Sequence, residues 1–166
     1  MSTPLSRPTR EELDEDTVVL RSARFTLVVK RLAPGKLLLT AIGYEDGGTF
    51  ELLTREIEAE VARTGGPVTI YCDLTEETGM STDSREQWGR WARGRQNNIQ
   101  GAHVLVRSRL VDMAISLLGL VTGGGALQSY SDPAKFERAI ARDVPRFRGL
   151  PRYPELVAER AKARAG

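Results

Sequence analysis

The sequence predicts a single α/β domain built on a mixed, mostly parallel sheet of about five strands, with about four helices. Short runs rich in β-branched and aromatic residues alternate with longer segments whose apolar residues recur at helical spacing. The first two strand-like segments are separated only by a turn, which predicts an N-terminal hairpin and therefore a mixed sheet. The 166 residues can bury one core but are too few for two comfortable domains.

The two ends of the chain differ in composition from its centre. Residues 1–16 contain Pro4, Pro8 and an acidic run from Glu11 to Asp16, which predicts a flexible N-terminal lead with nothing to bury. No apolar segment follows a basic start there, so we expect a cytoplasmic location. The folded domain is expected over residues 17–145, and a loosely packed, partly helical C-terminal extension over residues 146–166.

The opening hairpin is predicted from two strand patterns. Apolar and aromatic residues recur from Val18 to Lys30 and alternate with others near Phe25, as in one half-buried strand. Pro34-Gly35 is typical of a turn. The continuous apolar run from Leu37 to Ile42 then predicts an inner strand.

Glycine pairs and one proline divide the centre of the chain into helix, strand and helix. Gly47-Gly48 and Gly65-Gly66 bound a predicted helix with Thr49 as its N-cap and an apolar stripe at Phe50, Leu53, Ile57 and Val61. Residues 68–72 predict a strand ending at Asp73, followed by a loop through Gly79. A second helix begins within residues 81–84, and its spacing directs Trp88 and Trp91 into the core.

The last third of the chain repeats strand and helix. Residues 101–107 predict a strand, and residues 109–122 predict a helix that stops at the three glycines 123–125. A short strand over residues 126–130 precedes a helix that begins at Asp132-Pro133, a cap followed by a first-turn proline. The polar tail predicts one more helix over residues 155–164.

This order of elements, from Thr17 to Val144, resembles the STAS family, which includes the bacterial anti-sigma-factor antagonists and SpoIIAA-like proteins. The most local support is Asp73-Leu74-Thr75, a loop, and then Met80-Ser81-Thr82-Asp83-Ser84 at a helix start. Family members have an Asp-Ser pair at that helix start, and the Ser is phosphorylated. Counted from Asp73, this Ser falls on Thr82, with Ser81 rather than Asp before it. The resemblance therefore implies Thr82 as the first candidate for regulatory phosphorylation, with Ser81 and Ser84 behind it.

Thr82 and Asp73 also have simpler interpretations. A threonine at this position can cap the helix without any kinase, whereas a phosphate there would lie beside free backbone N–H groups that accommodate anions. Asp73 could contact a partner or hold a cation, but a single acid at a strand end is typical of a turn former.

Arginines are concentrated on and beside the second helix. They could converge into a patch for an acidic protein or a phosphate, or they could line a solvated helix face. The set is Arg85, Arg90, Arg93, Arg95, Arg107 and Arg109. The net charge is only +2 and no aromatic platform accompanies these arginines, so we predict no nucleic-acid partner.

The predicted helix over residues 109–122 is apolar on more than one face. If one face packs on the sheet, Val111, Ile115 and Leu118 point elsewhere. The C-terminal segment could cover them internally, or a second copy of the chain, a protein partner or a lipid could do so.

No catalytic constellation can be assembled from the sequence. Cys72 and His103 are the only residues of their kinds, and both fall in predicted strands. We therefore predict no metal and no cofactor, and no nucleotide-binding signature is present. No stretch approaches the ~20 apolar residues of a membrane helix.

The sequence thus predicts a non-catalytic regulatory protein-interaction module of the STAS type. Its partner-binding residues would be Asp73, Arg85, Arg90, Arg93, Val111, Ile115 and Leu118. The partner would be another protein, and a homodimer is one form this could take. The alternative is a carrier or sensor that binds a lipid or another small apolar ligand, with the same apolar helix lining the opening.

Overall fold

The computed structural model describes residues 7–94, 98–107 and 127–165, which form one seven-stranded mixed sheet with helices on both faces. The strands lie in the sheet in their chain order. They are β1 (Thr9–Asp14), β2 (Thr17–Arg21), β3 (Phe25–Ala33), β4 (Lys36–Glu45), β5 (Val68–Met80), β6 (Ile99–Leu105) and β7 (Leu127–Tyr130). The helices are α1 (Phe50–Thr64), α2 (Thr82–Gly94), α3 (Pro133–Asp143) and α4 (Val157–Ala165), with one 3₁₀ turn at Pro154–Leu156. The predicted α/β class is confirmed, and the sheet is larger than predicted.

The extra strands belong to the antiparallel half of the sheet, β1 to β4. The segment predicted as one strand is two, because a turn closed by the Ser22 N–H and the Phe25 carbonyl, 2.9 Å apart, reverses the chain. β2 and β3 then pair antiparallel, with Val18 opposite Val29. β3 and β4 form the predicted hairpin, and Gly35 takes the positive φ of 74° that this turn requires.

Residues Thr9–Asp14 form the edge strand β1, so the expectation of a flexible lead was wrong for this part of the chain. β1 pairs antiparallel with β2 through main-chain hydrogen bonds, which do not require apolar side chains. Its charged side chains form ion pairs instead, Arg10 with Glu56 and Arg21 with Glu11. An acidic sequence is therefore ordered here by backbone pairing and charge complementarity.

The strands β4 to β7 pair parallel. One face of the sheet, mainly from β2 to β5, is covered by α1 and α2. Leu53 and Ile57 of α1 are buried against the sheet, and Trp88 and Trp91 of α2 pack at the edge of the same core, as predicted. α1 follows Thr49 as predicted, although the Thr49 side chain makes no capping hydrogen bond. This face is the α2 face of the sheet.

The opposite face is covered by α3 and by the C-terminal tail. Phe136, Ile140 and Val144 pack against Tyr71 and its neighbours, as the predicted stripe requires. The tail is packed more closely than expected, because Tyr153 and Leu156 are buried against β2, β3 and β4. This face is the α3 face. No helix among the described residues is long and apolar enough to cross a membrane.

Candidate functional site

The site predicted from sequence lies where β5 runs into α2, and β5 is longer there than predicted. The strand continues through Asp73 to Met80, so the expected loop after Asp73 is wrong. The register against β4 shifts between Asp73 and Glu76, which marks a bulge rather than a strand end. At that bulge the Asp73 carboxylate accepts hydrogen bonds from the Thr75 N–H at 3.0 Å and the Thr75 hydroxyl at 2.7 Å. Asp73 therefore stabilises its own backbone.

Ser81, not Thr82, caps α2. The Ser81 hydroxyl accepts a hydrogen bond from the Ser84 backbone N–H at 3.1 Å, the geometry of an N-cap side chain. Thr82 is the first residue of the helix and its side chain is exposed, as is that of Asp83. The interpretation of Thr82 as the cap was wrong, because the cap lies one residue earlier. The Thr82 hydroxyl is thus left at the positive end of a helix dipole.

Ser84, the third phosphorylation candidate, is fully buried beneath α2. Its hydroxyl donates a hydrogen bond to Glu45 Oε1 at 2.9 Å. The Trp88 indole N–H donates to the same oxygen at 2.7 Å. One buried carboxylate at the end of β4 therefore holds two positions of α2, and Ser84 presents no hydroxyl to the surface.

A second glutamate, Glu77, lies on the α2 face near Glu45. Burial, and secondarily the negative charge of Glu45, raise the pKa of Glu77 to about 8. Burial also raises the pKa of Glu45, although the hydrogen bonds from Trp88 and Ser84 oppose this change. Neither carboxylate forms an ion pair with a lysine or arginine in the described part of the chain. Burial raises the pKa of the nearby Cys72 thiol to about 12.

Sequence reasoning missed this pair of glutamates. A signal was present, since a Trp turned toward a core needs an acceptor for its indole N–H. Glu45 is the first acid after the apolar run of β4 and could have been proposed as that acceptor. Glu77 gave no such signal, because the segment that contains it was predicted to be a loop.

The arginines of α2 line its outer surface. Arg85, Arg90 and Arg93 are all exposed, while Trp88 and Trp91 are turned inward and pack edge to face, with ring centroids 5.7 Å apart. Arg107 is exposed at the end of β6. The structure therefore places the three helix arginines on one solvent-facing surface. Arg95 and Arg109 lie outside the described residues.

The remaining predicted partner-binding residues, Val111, Ile115 and Leu118, also lie outside the described residues. The C-terminal segment, one of the alternatives for covering them, packs at two places on the α3 face. Phe147 and Leu150 join the core next to α3, whereas Tyr153 and Leu156 cover β2 to β4.

His103 and its neighbours form an aromatic stack on the α3 face. The imidazole lies between Tyr71 and Tyr130, at ring-centroid distances of 5.0 and 5.8 Å. Burial lowers the pKa of His103, so the ring is held neutral near pH 7. The Tyr71 hydroxyl donates to Asp143. In the described ranges, no three His, Cys, Asp or Glu side chains are grouped so that they could hold a metal ion.

Comparison with solved structures gives the fold a name. A crystal structure of an uncharacterized protein of the DUF3478 family with a SpoIIAA-like fold, from Shewanella loihica PV-4, matches with a TM-score of 0.54 at 16% identity and covers 73% of this chain and 94% of that one. A crystal structure of an anti-sigma factor antagonist from Mycobacterium paratuberculosis matches with a TM-score of 0.47 at 19% identity and covers 70% and 93%. No protein-family model and no curated protein matches the sequence. The first likeness shows that the chain has a SpoIIAA-like fold, as the sequence predicted.

Proposed function

We propose that this SpoIIAA-like domain is a non-catalytic regulatory module that binds another protein through the outer surface of α2. The observation that carries the proposal is the placement of Thr82, Arg85, Arg90 and Arg93 on the exposed side of one helix. The inner side of that helix is held by Glu45. We call the four exposed residues the α2 surface.

The chemistry of the α2 surface favours an acidic partner. Arginine binds carboxylates through a planar fork of donors, and such pairs are both geometrically specific and strong. None of Arg85, Arg90 and Arg93 forms an ion pair with a described carboxylate, so their donors are available to a partner. Because Glu45 holds α2 from beneath, the arginines project from a fixed helix, which reduces the entropy lost on binding.

Phosphorylation of Thr82 would change the charge of this surface. A phosphate adds about two negative charges at pH 7. At the first position of α2 it would be stabilised by the helix dipole and by unpaired backbone N–H groups. Arg85 lies one turn along the helix, where it could pair with the phosphate and so be withdrawn from an acidic partner. We propose Thr82 as the switch residue, while Ser81 is the cap and Ser84 is buried.

The experiment compares partner capture by matched variants. R85E/R90E/R93E reverses the charge of the α2 surface. R146E/R148E/R152E makes the same change in charge at exposed arginines of the C-terminal tail. We expect a protein captured by the wild type to be retained by the tail variant and lost by the α2 variant and by Thr82→Glu. Quantitative mass spectrometry after affinity capture measures this. A partner that the α2 variant still binds would contradict the proposal.

The apolar helix predicted over residues 109–122 is the reason that the proposal includes self-association. Light scattering on the wild type, Ile115→Asp and Leu118→Asp distinguishes a dimer broken into folded monomers from a monomer that unfolds. Native mass spectrometry tests the carrier alternative, since a carrier retains the mass of an apolar ligand through purification. If the purified protein retains an apolar ligand, and if the α2 variant captures the same proteins as the wild type, the carrier function is supported and the interaction module is contradicted.

A further inference from the structure

A groove of about 700 Å³ opens between β7 and α3, on the face of the sheet opposite α2. Gln128 and Tyr130 of β7 form one wall, and Lys135, Arg138 and Arg142 of α3 form the other. Its volume lies within the range typical of ligand-binding clefts. None of the residues that line the groove was predicted from the sequence to be functional.

The cations of the groove form one stripe. Lys135, Arg138 and Arg142 recur at i, i+3 and i+7, so they lie along one side of α3, and all three are exposed. A helix rises 1.5 Å per residue, which makes the stripe about 10 Å long. Within the described ranges none of the three pairs with a carboxylate.

The acidic residues on and beside α3 are engaged elsewhere. Asp132 caps the helix by accepting a hydrogen bond from the Ala134 N–H at 2.9 Å. Glu137 accepts from the Leu150 N–H at 3.2 Å, and Asp143 accepts from the Tyr71 hydroxyl. Among the described residues, three cations and no carboxylate line the groove.

The β7 wall is held by a chain of hydrogen bonds. The Tyr130 hydroxyl donates to Gln128 Oε1 at 2.8 Å and is hydrogen-bonded to His103 Nδ1 at 2.9 Å. Because the Gln128 oxygen is the acceptor, its amide N–H groups remain as donors at the mouth of the groove. β7 pairs with β6 on one side and is the last strand of the sheet that the described residues form. No strand among the described residues pairs with its other edge, where main-chain groups can therefore meet a ligand.

We propose that this groove binds an acidic peptide segment of another protein, in extended conformation along β7. Carboxylates on alternate residues of a strand recur about every 6.8 Å, so two of them match most of the cationic stripe. Addition to the edge of β7 that no described strand occupies supplies main-chain hydrogen bonds to such a segment. A compact phosphate would need cations that converge on one point, whereas these are spread over about 10 Å. The groove is independent of the α2 surface, which lies on the other face of the sheet.

Fluorescence anisotropy tests the proposal with a labelled peptide of alternating glutamate and threonine, six residues long, and with its lysine counterpart. We expect the acidic peptide alone to bind the wild type, more weakly as salt is added. R138E/R142E should weaken binding by about tenfold or more, as expected when two charge contacts become repulsive. R146E/R152E carries the same charge change at exposed arginines outside the groove and should stay within about twofold of the wild type.

Three results would overturn the groove as a peptide site. They are no binding of the acidic peptide to the wild type, equal weakening by both double variants, and displacement of the peptide by inorganic pyrophosphate that itself binds more tightly. The first two exclude a specific site, and the third assigns the cations to a phosphate ligand. Circular dichroism of both variants establishes that each is folded before its affinity is compared. Capture of a partner by the α2 surface remains a separate measurement.

Discussion

Two regions on the α2 face of the sheet each hold a buried glutamate, and the pKa values of the two shift in opposite directions. Glu60 lies near the end of α1. Burial acts to raise its pKa, but Arg63, the Gly35 N–H and Arg31 together lower the pKa below its ordinary value. Glu45, beneath α2, has only the neutral donors Ser84 and Trp88, and burial raises its pKa. Both side chains are buried, but Glu45 is the more strongly desolvated and has no cation beside it, whereas Glu60 lies next to two arginines.

The difference separates two uses of a buried acid. At Glu60 the charge is compensated locally, so the region is stable while the carboxylate is ionised. Beneath α2, Glu45 positions the helix whose outer surface we propose to bind a partner, and no described arginine forms an ion pair with Glu45 or Glu77. Charge in that region opposes folding, and protonation relieves it.

The largest expected effect comes from removing the acceptor beneath α2. Glu45→Ala leaves the Ser84 hydroxyl and the Trp88 indole N–H buried without a partner, which should lower the free energy of unfolding by about 2–3 kcal/mol. Urea denaturation followed by tryptophan fluorescence measures it. Glu45→Gln keeps an acceptor oxygen at the same place and should stay within about 1 kcal/mol of the wild type. Equal losses in the two variants would show that the hydrogen bonds do not position α2.

The next effect is a pH dependence centred on Glu77. Its folded pKa of about 8 lies above the ordinary 4.5, so the folded state binds more protons between these values and stability falls as pH rises through that window. Glu77→Gln removes the penalty and should raise the free energy of unfolding by more than about 1 kcal/mol at pH 9, where the wild type is ionised, because one unit of pKa shift is worth about 1.4 kcal/mol. At pH 4 the two proteins should be equally stable.

Chemical denaturation at the two pH values checks this prediction, with Glu86→Gln as a matched variant at an exposed position of α2. If the stability of the wild type relative to Glu77→Gln is the same at pH 4 and at pH 9, the raised pKa of Glu77 is contradicted.

The sequence predicted the alternation of strands and helices because apolar spacing and glycine or proline boundaries are local signals. It predicted the inward Trp88 for the same reason. It missed β1, whose order depends on pairing with β2, and it ended β5 early because a bulge at Asp73 looks like a strand end in sequence. Non-local pairing leaves no periodic pattern in a polar segment.

The candidate sites also differ in how far the sequence could predict them. Thr82 and the α2 arginines were found because a helix start and helical spacing can be recognised locally. Glu45 and Glu77 come from β4 and β5, and the cationic groove is formed by β7 and α3. Both sites therefore depend on contacts between elements, which no single segment of the sequence encodes. The Lys135, Arg138 and Arg142 stripe was visible as a pattern, yet only the fold shows that it faces a sheet edge.

The smallest expected effect on stability comes from Glu60, the buried carboxylate that arginines compensate. Glu60→Gln replaces charge-assisted hydrogen bonds with neutral ones and should lower the free energy of unfolding by about 1 kcal/mol at pH 7. Because the folded pKa of Glu60 is lowered, its contribution is present above the ordinary pKa and is lost as pH falls through the folded value. The difference from the wild type should therefore vanish in acid, the reverse of Glu77→Gln, which differs from the wild type only at high pH. Thermal unfolding of both variants across one pH series measures the two slopes together. Slopes of the same sign would show that local cations do not set the opposite behaviour of these buried acids.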